Sequence, residues 1–281
     1  MALPGSFAAE TEQEKGSGKI AFCQHDGRYW QIWIMDLDGL NKKELTSSKA
    51  DSRSPNLSSD GRRIVYVTND GKLWIMDSAG DNKRHIPLNI SATEPKWCFQ
   101  DKKIVLTSYR GMSFLDDSDI WLLNSDGSDL KKITRRPSLQ FLPDISKDGK
   151  ELIFVDVLES AGHEIFKLNL ETKDYTQLTD NRYHDTAPAF MADASMIVYS
   201  SDSGGNYDIW VMDKFGQNQR NLTRRSAFDS CPVVTKDGKT IFFLSDSTKS
   251  MQIWSMDVNG DAVKKITDDK YDKQDISVYT P

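Results

Sequence analysis

Four histidines and three cysteines are the groups best suited to nucleophilic or metal chemistry in this chain, and their spacing assembles neither. His163 opens HEIFK, the first two letters of a zinc-peptidase helix motif, but no second histidine follows four residues on. His25, His85 and His184 stand in separate stretches, and no Gly-x-Ser-x-Gly elbow presents a serine. GSGK at Gly16 lacks the upstream glycine and the following Ser or Thr of a phosphate loop. Cys23 and Cys98 lie in apolar runs and read as small buried hydrophobes. Cys231 precedes Pro232 in what reads as a loop, with nothing beside it to depress its pKa. DLDG at Asp36 and SDG at Ser125 echo calcium loops without the downstream glutamate, so hairpin turns explain them better. No catalytic residue is assigned, and no metal ligand either.

Bulk properties remove other classes. Basic residues number 36 against 42 acidic, a formal charge of −6, and neither sign forms a block; this is no footprint for nucleic acid or an anionic membrane. No apolar run approaches the roughly eighteen residues of a membrane span. A chain of this length buries roughly three-quarters of its unfolded surface, and a monomer is expected. Residues 1–17, MALPGSFAAETEQEKGS, lack the pattern of the rest and read as a flexible tail. ALPGSFAA is similar to the end of a secretory signal, which points to an exported, periplasmic protein.

The elements that must position any site come from a repeat. QIWIMDLDGLNKKELT from Gln31, KLWIMDSAGDNKRHIP from Lys72, DIWLLNSDGSDLKKIT from Asp119, EIFKLNLETKDYTQLT from Glu164, DIWVMDKFGQNQRNLT from Asp208 and QIWSMDVNGDAVKKIT from Gln252 are six versions of one phrase, 41 to 47 residues apart. Between them recurs a proline, an Asp-Gly turn and an apolar run, as in PNLSSDGRRIVYV from Pro55 and PDISKDGKELIFV from Pro143. Asp-Gly between apolar runs signals a hairpin, because glycine reaches positive φ without steric cost. Each unit therefore reads as four strands, and a period of this length belongs to a propeller. The first unit, from Gly18, lacks its innermost strand, whereas DISVYTP from Asp275 supplies an unpaired one. The expected fold is an all-β, six-bladed propeller over residues 18–281, built of four-stranded antiparallel blades and closed by that C-terminal strand. The aromatics at the third position, Trp33, Trp74, Trp121, Phe166, Trp210 and Trp254, are expected to pack blade on blade.

At these residues the chain resembles the TolB β-propeller family, whose repeat joins Ser-Pro-x-Trp-Ser-Pro-Asp-Gly to an apolar strand, Asp-Ile-Tyr/Trp-Val-Met-Asn and a closing Leu-Thr. DGRRIVYVTNDGKLWIMD from Asp60 and DIWVMDKFGQNQRNLT match that form closely, and the resemblance runs from Gly18 to Pro281. It implies a non-enzymatic scaffold that binds a protein partner, in TolB an envelope lipoprotein, and a calcium or other cation in the central channel. The α/β domain that precedes the propeller in TolB has no counterpart in this sequence. A second reading is a lyase or hydrolase acting on sugars in the channel, since oligogalacturonate lyase has a related propeller with a metal held by histidines.

A repeat scaffold varies where it meets its partner. Links between repeats contribute Arg53, Glu94, Phe141, His184, Asp185, Phe228 and Asp229; links between second and third strands contribute His25, Arg28, Tyr29, Trp30, Tyr109, Arg110 and Tyr207. Propeller topology brings both classes to one face, and arginine mixed with aromatic rings is the composition of a binding hot spot. These fourteen residues are the expected partner-binding set.

Overall fold

The computed structural model describes residues 18–109, 118–158 and 162–281. The expectation of a flexible tail over residues 1–17 lies outside them. Strands β1 (Lys19–His25), β2 (Trp30–Asp36) and β3 (Lys43–Glu44) open the chain. The second repeat gives β4 (Ser52–Leu57), β5 (Arg63–Thr68), β6 (Leu73–Asp77) and β7 (Arg84–Ile86). The third gives β8 (Thr93–Cys98), β9 (Lys103–Tyr109), β10 (Ser118–Asn124) and β11 (Lys131–Lys132). The fourth gives β12 (Leu139–Ile145), β13 (Glu151–Leu158), β14 (Gly162–Asn169) and β15 (Tyr175–Gln177). Then follow β16 (Asp185–Phe190), β17 (Met196–Ser201), β18 (Asp208–Asp213) and β19 (Arg220–Asn221). The chain ends with β20 (Asp229–Val234), β21 (Thr240–Ser245), β22 (Gln252–Asp257), β23 (Lys264–Lys265) and β24 (Lys273–Tyr279).

The blade count expected from the sequence is corrected by the sheets. Four sheets have four strands, in the orders β24-β1-β2-β3, β4-β5-β6-β7, β16-β17-β18-β19 and β20-β21-β22-β23. The third and fourth repeats do not form separate blades but one eight-stranded sheet, joined where Ser118 of β10 pairs in parallel with Leu139 of β12. The join is local, a single pair of residues at the start of both strands. The Ser118 hydroxyl donates to the Gln140 carbonyl at 2.9 Å and accepts the Gln140 N–H at 2.8 Å.

The repeated letters have repeated physical roles. The hydroxyl of the threonine that closes five of the six phrases (Thr46, Thr134, Thr179, Thr223, Thr267) accepts the N–H of Ile32, Ile120, Ile165, Ile209 or Ile253 at 2.8 to 3.1 Å, tying the outer strand to its neighbour. The aspartate ending the third strand caps the next turn: Asp77 accepts the Ala79 and Asp81 N–H groups and the Asn82 amide. In the turns that echo calcium loops, Asp38 accepts the Leu40 N–H at 3.0 Å and Asp126 that of Ser128 at 2.8 Å, so these carboxylates serve their own turns. Gly216 shows why such turns need glycine, since φ is +81° and a Cβ would run into the Leu178 carbonyl.

Alternation along each strand packs both sides. Ile32 and Ile34 face the second repeat, beside Ile64, Tyr66 and Met76, whereas Trp33 and Met35 face the last, beside Phe242, Leu244 and Ile253. Phe166 is buried, and the five tryptophans of the series are half-buried against the same clusters. The innermost strands β4, β8, β12, β16, β20 and β24 touch in succession, and β24 returns to β4, so the ring is closed. Each carries one non-glycine residue at φ of 48 to 54°, Ser54, Glu94, Leu142, Ala187, Cys231 and Asp275, and each shifts register against its sheet partner nearby. Six such residues in the left-handed region, five of them before proline, are strain that the surrounding ring must hold.

Candidate partner-binding face

Those six bulges surround the axis. They line a cavity of about 100 Å³ together with Pro55, Pro95, Pro188 and Pro232. That is small beside the roughly 300–1,000 Å³ of ligand sites. Polar groups there serve the ring itself. Glu94 accepts the Leu142 N–H at 2.7 Å and the Thr107 hydroxyl at 2.8 Å, and Asp275 accepts the Ser54 N–H at 3.0 Å. Burial raises the Glu94 carboxyl above its usual range, and the Asp275 charge adds to that. Cys231 lies within β20, not in a loop, and burial followed by the Asp275 charge pushes its thiol up to about 11, which makes it a poor nucleophile. A calcium cage takes six to eight oxygens. Among the described residues no three His, Cys, Asp or Glu side chains come together in a group that could hold a metal ion.

A larger cleft, of about 550 Å³, opens next to this cavity and shares Cys231 and Asp275 with it. Trp30 and Phe228 both line it, with Lys249 and Met251. The rings are arranged in two groups. His25 lies 5.2 Å from Trp30, and the Arg53 guanidinium sits 5.0 Å above the indole. Arg53 is itself held by Asp51 at 3.0 Å and by Gln274 at 2.8 Å. Tyr207 packs against Phe228 at 4.9 Å. Aspartates fix the loop backbones: Asp51 accepts the Trp30 N–H at 3.0 Å, Asp246 that of Phe228 at 2.7 Å, and Asp202 that of His184 at 2.8 Å. Asp26 does the same for Arg28 and Tyr29, both at 2.7 Å, and these bonds hold its carboxyl below the usual range. Phe228 remains 38% exposed, one of four large apolar side chains in the open among the described residues. The cleft is thus lined by rings on a pre-organised frame.

Other residues of the expected set are placed differently. Asp229 is fully buried and takes Arg225 in a two-point contact, Nη2 to Oδ1 at 2.7 Å and Nε to Oδ2 at 3.0 Å. Asp185 is buried and accepts the Asn181 amide at 2.8 Å. Glu94 fastens the ring, and Tyr109 ends β9 half-buried. Arg110 lies outside the described residues. Phe141 and His184 meet through a residue the sequence reading passed over: His163 stands 5.5 Å from Phe141 and 5.0 Å from His184. Its signal was register, because His163 stands two before Ile165 as Trp30 does before Ile32 and Tyr207 before Ile209.

The TolB beta propeller domain profile matches residues 13–156 and 119–279. The chain belongs to the TolB β-propeller family. A TolB homolog of Chlorobium luteolum is 27% identical over 156 residues, 54% of this chain and 34% of that protein. The Tol-Pal system protein TolB of Bordetella pertussis is 26% identical over 161 residues, 56% of this chain and 36% of that one. The chain spans about a third of the length of the curated relatives it matches. The crystal structure of TolB from Acinetobacter baumannii superposes with a TM-score of 0.81 at 18% identity, over 94% of this chain and 67% of that one, a likeness of fold. No helix of this TolB-family propeller, among the described residues, is long and apolar enough to cross a membrane.

Proposed function

We propose that this chain is a non-enzymatic scaffold whose variable-loop face binds a protein partner, with the cleft lined by Trp30 and Phe228 as the centre of contact. The carrying observation is that cleft: about 550 Å³, lined by two aromatic residues whose loop amides are pinned by aspartates. Aromatic anchors on a rigid frame give binding energy at low entropic cost. The similarity to a Tol-Pal system protein supports a periplasmic setting and a partner of the envelope, with an envelope lipoprotein as the partner class. His25, Arg28, Tyr29, Arg53 and Tyr207 extend the surface around the anchors. Channel chemistry is the weaker reading, because the axial cavity is small and its carboxylates serve the ring.

The test is photo-crosslinking from position 228 in envelope extracts, followed by affinity measurement on the captured lipoprotein. Phe228→Ala and Trp30→Ala should each weaken binding at least about tenfold and leave the melting transition in place. Undiminished binding by both variants would remove the face from the reading.

A further inference from the structure

The Phe141–His163–His184 row lies apart from the Trp30–Phe228 cleft, and no part of the proposed binding function uses its nitrogens. His163 and His184 come from different repeats, yet their ring centroids are 5.0 Å apart at an interplanar angle of 87°. Two imidazoles that share one tetrahedral zinc, with Zn–N bonds of about 2.0–2.1 Å, have centroids about 5 Å apart. The orientation of His184 is fixed. Asp202 Oδ2 stands 2.9 Å from its Nδ1, and Asp202 Oδ1 accepts its backbone N–H at 2.8 Å. With Nδ1 donating to that carboxylate, Nε2 carries the free lone pair, the arrangement by which a carboxylate prepares a histidine for metal.

The free edge faces the right way. A Cβ placed on Gly162, the residue before His163, would stand 3.7 Å from Cδ2 and 3.8 Å from Nε2 of His184, so that edge is turned toward the start of β14. Phe141 packs edge-on to the far ring of the pair, at 84° to His163 and 5.5 Å away, and limits how it can turn. Asp185 and Glu164, each next in sequence to one of the histidines, are buried, and each has a carboxylate oxygen without a hydrogen-bond partner.

We propose that His163 and His184 form a two-imidazole site for a borderline divalent cation of the zinc type, with Asp202 orienting His184 and water completing the coordination. The site sits on the rim of the variable-loop face. It joins two repeats that are already tied nearby by the Asn181 N–H, which donates to Glu164 at 3.0 Å.

The experiment is isothermal titration of tag-free, metal-stripped protein with Zn²⁺. The expected result is one equivalent bound, at least about tenfold weaker binding in His163→Ala and in His184→Ala, and about 10- to 100-fold weaker binding in Asp202→Asn. His85→Ala, at a histidine on the outer strand of the second repeat, should bind as the parent does. Cu²⁺ electron paramagnetic resonance gives a second readout, with two imidazole nitrogens in the parent and one in either single-histidine variant. No stoichiometric binding in the parent, or a loss confined to one of the two histidine variants, overturns the proposal.

Discussion

The carboxylate of Asp275 accepts the backbone N–H of Ser54 at 3.0 Å across a sequence separation of 221 residues. Both residues sit at the left-handed bulge of an innermost strand. The bond is one of a set that passes around the ring. Glu94 takes the Leu142 N–H, Asn56 takes that of Trp97 at 2.9 Å, Asp144 that of Phe190 at 2.9 Å, and Ser277 that of Leu57 at 2.9 Å. Side chains of one repeat thus satisfy amides that the strained backbone of the next has turned away from its ladder. Two members of the set, from Asp275 and Ser277, lie at the seam where the chain's end meets its beginning.

Asp275→Ala should therefore destabilise the fold by about 1–3 kcal/mol, the cost of leaving a donor in the ring without its acceptor. Removing residues 273–281 should do far more, since β24 covers β1 and its Ile276 packs against Ile20 and Phe22. Calorimetry decides both: a truncated chain that melts cooperatively at the parent temperature would show that the seam contributes nothing.

The closing threonines give a test with a built-in comparison. Thr179→Val keeps the shape of the side chain but removes the acceptor of the Ile165 N–H, in a fully buried place, and should cost about 1–3 kcal/mol. In the second repeat Pro87 stands where the others have threonine. Pro87→Val should accordingly have little effect on denaturant midpoints, and a loss equal to that of Thr179→Val would contradict the assigned role.

Much of this was readable from letters alone, for a physical reason. Asp-Gly turns and alternating apolar runs act locally, so QIWIMD announces a strand wherever it falls, and the deficit of one strand at Gly18 against the surplus at Asp275 pointed to the β24–β1 pairing seen at Ile20 and Val278. The joining of β10 to β12 is different. It depends on the Ser118–Leu139 pair and the Ser118–Gln140 contact between two repeats, and no single repeat shows either. The proposed face was expected from variable links, and the structure treats its members differently. Trp30 opens β2 half-buried and Phe228 stays exposed beside the same cleft, whereas Asp185 and Asp229, with the same loop-like setting in sequence, are buried in strands β16 and β20. His163 was discounted through a motif it does not complete, while its actual companion, His184, belongs to the next repeat.

Packing of the aromatic series makes an ordered prediction. Phe243 is fully buried between the last two repeats, so Phe243→Ala should cost about 3–5 kcal/mol through lost transfer energy and the cavity left behind. Trp210 packs against the cluster of Ile153, Ile197 and Tyr199 but is only partly covered, with its indole N–H unpartnered. Trp210→Ala should destabilise less than Phe243→Ala. Urea midpoints of the two variants in the opposite order would mean that the half-buried rings, not the buried ones, hold neighbouring repeats together.

Glu94 supplies the pH prediction. Burial, reinforced by the Asp275 charge, raises its folded-state pKa above the ordinary glutamate value, with the Leu142 and Thr107 bonds acting against the rise. A carboxyl whose folded pKa is raised binds its proton more tightly when folded. Its contribution to stability is therefore complete below the unfolded pKa, near 4.3, and is lost as pH increases through the raised folded value. Glu94→Gln keeps an oxygen for both donors and removes the charge. Its melting temperature should equal the parent's near pH 4 and exceed it increasingly toward pH 7. Glu94→Ala, which leaves the Leu142 N–H without its acceptor, should be less stable than Glu94→Gln at every pH by about 1–3 kcal/mol. A Glu94→Gln curve parallel to the parent's between pH 4 and 7 would show that the carboxylate at the axis stays ionised at no cost to the fold.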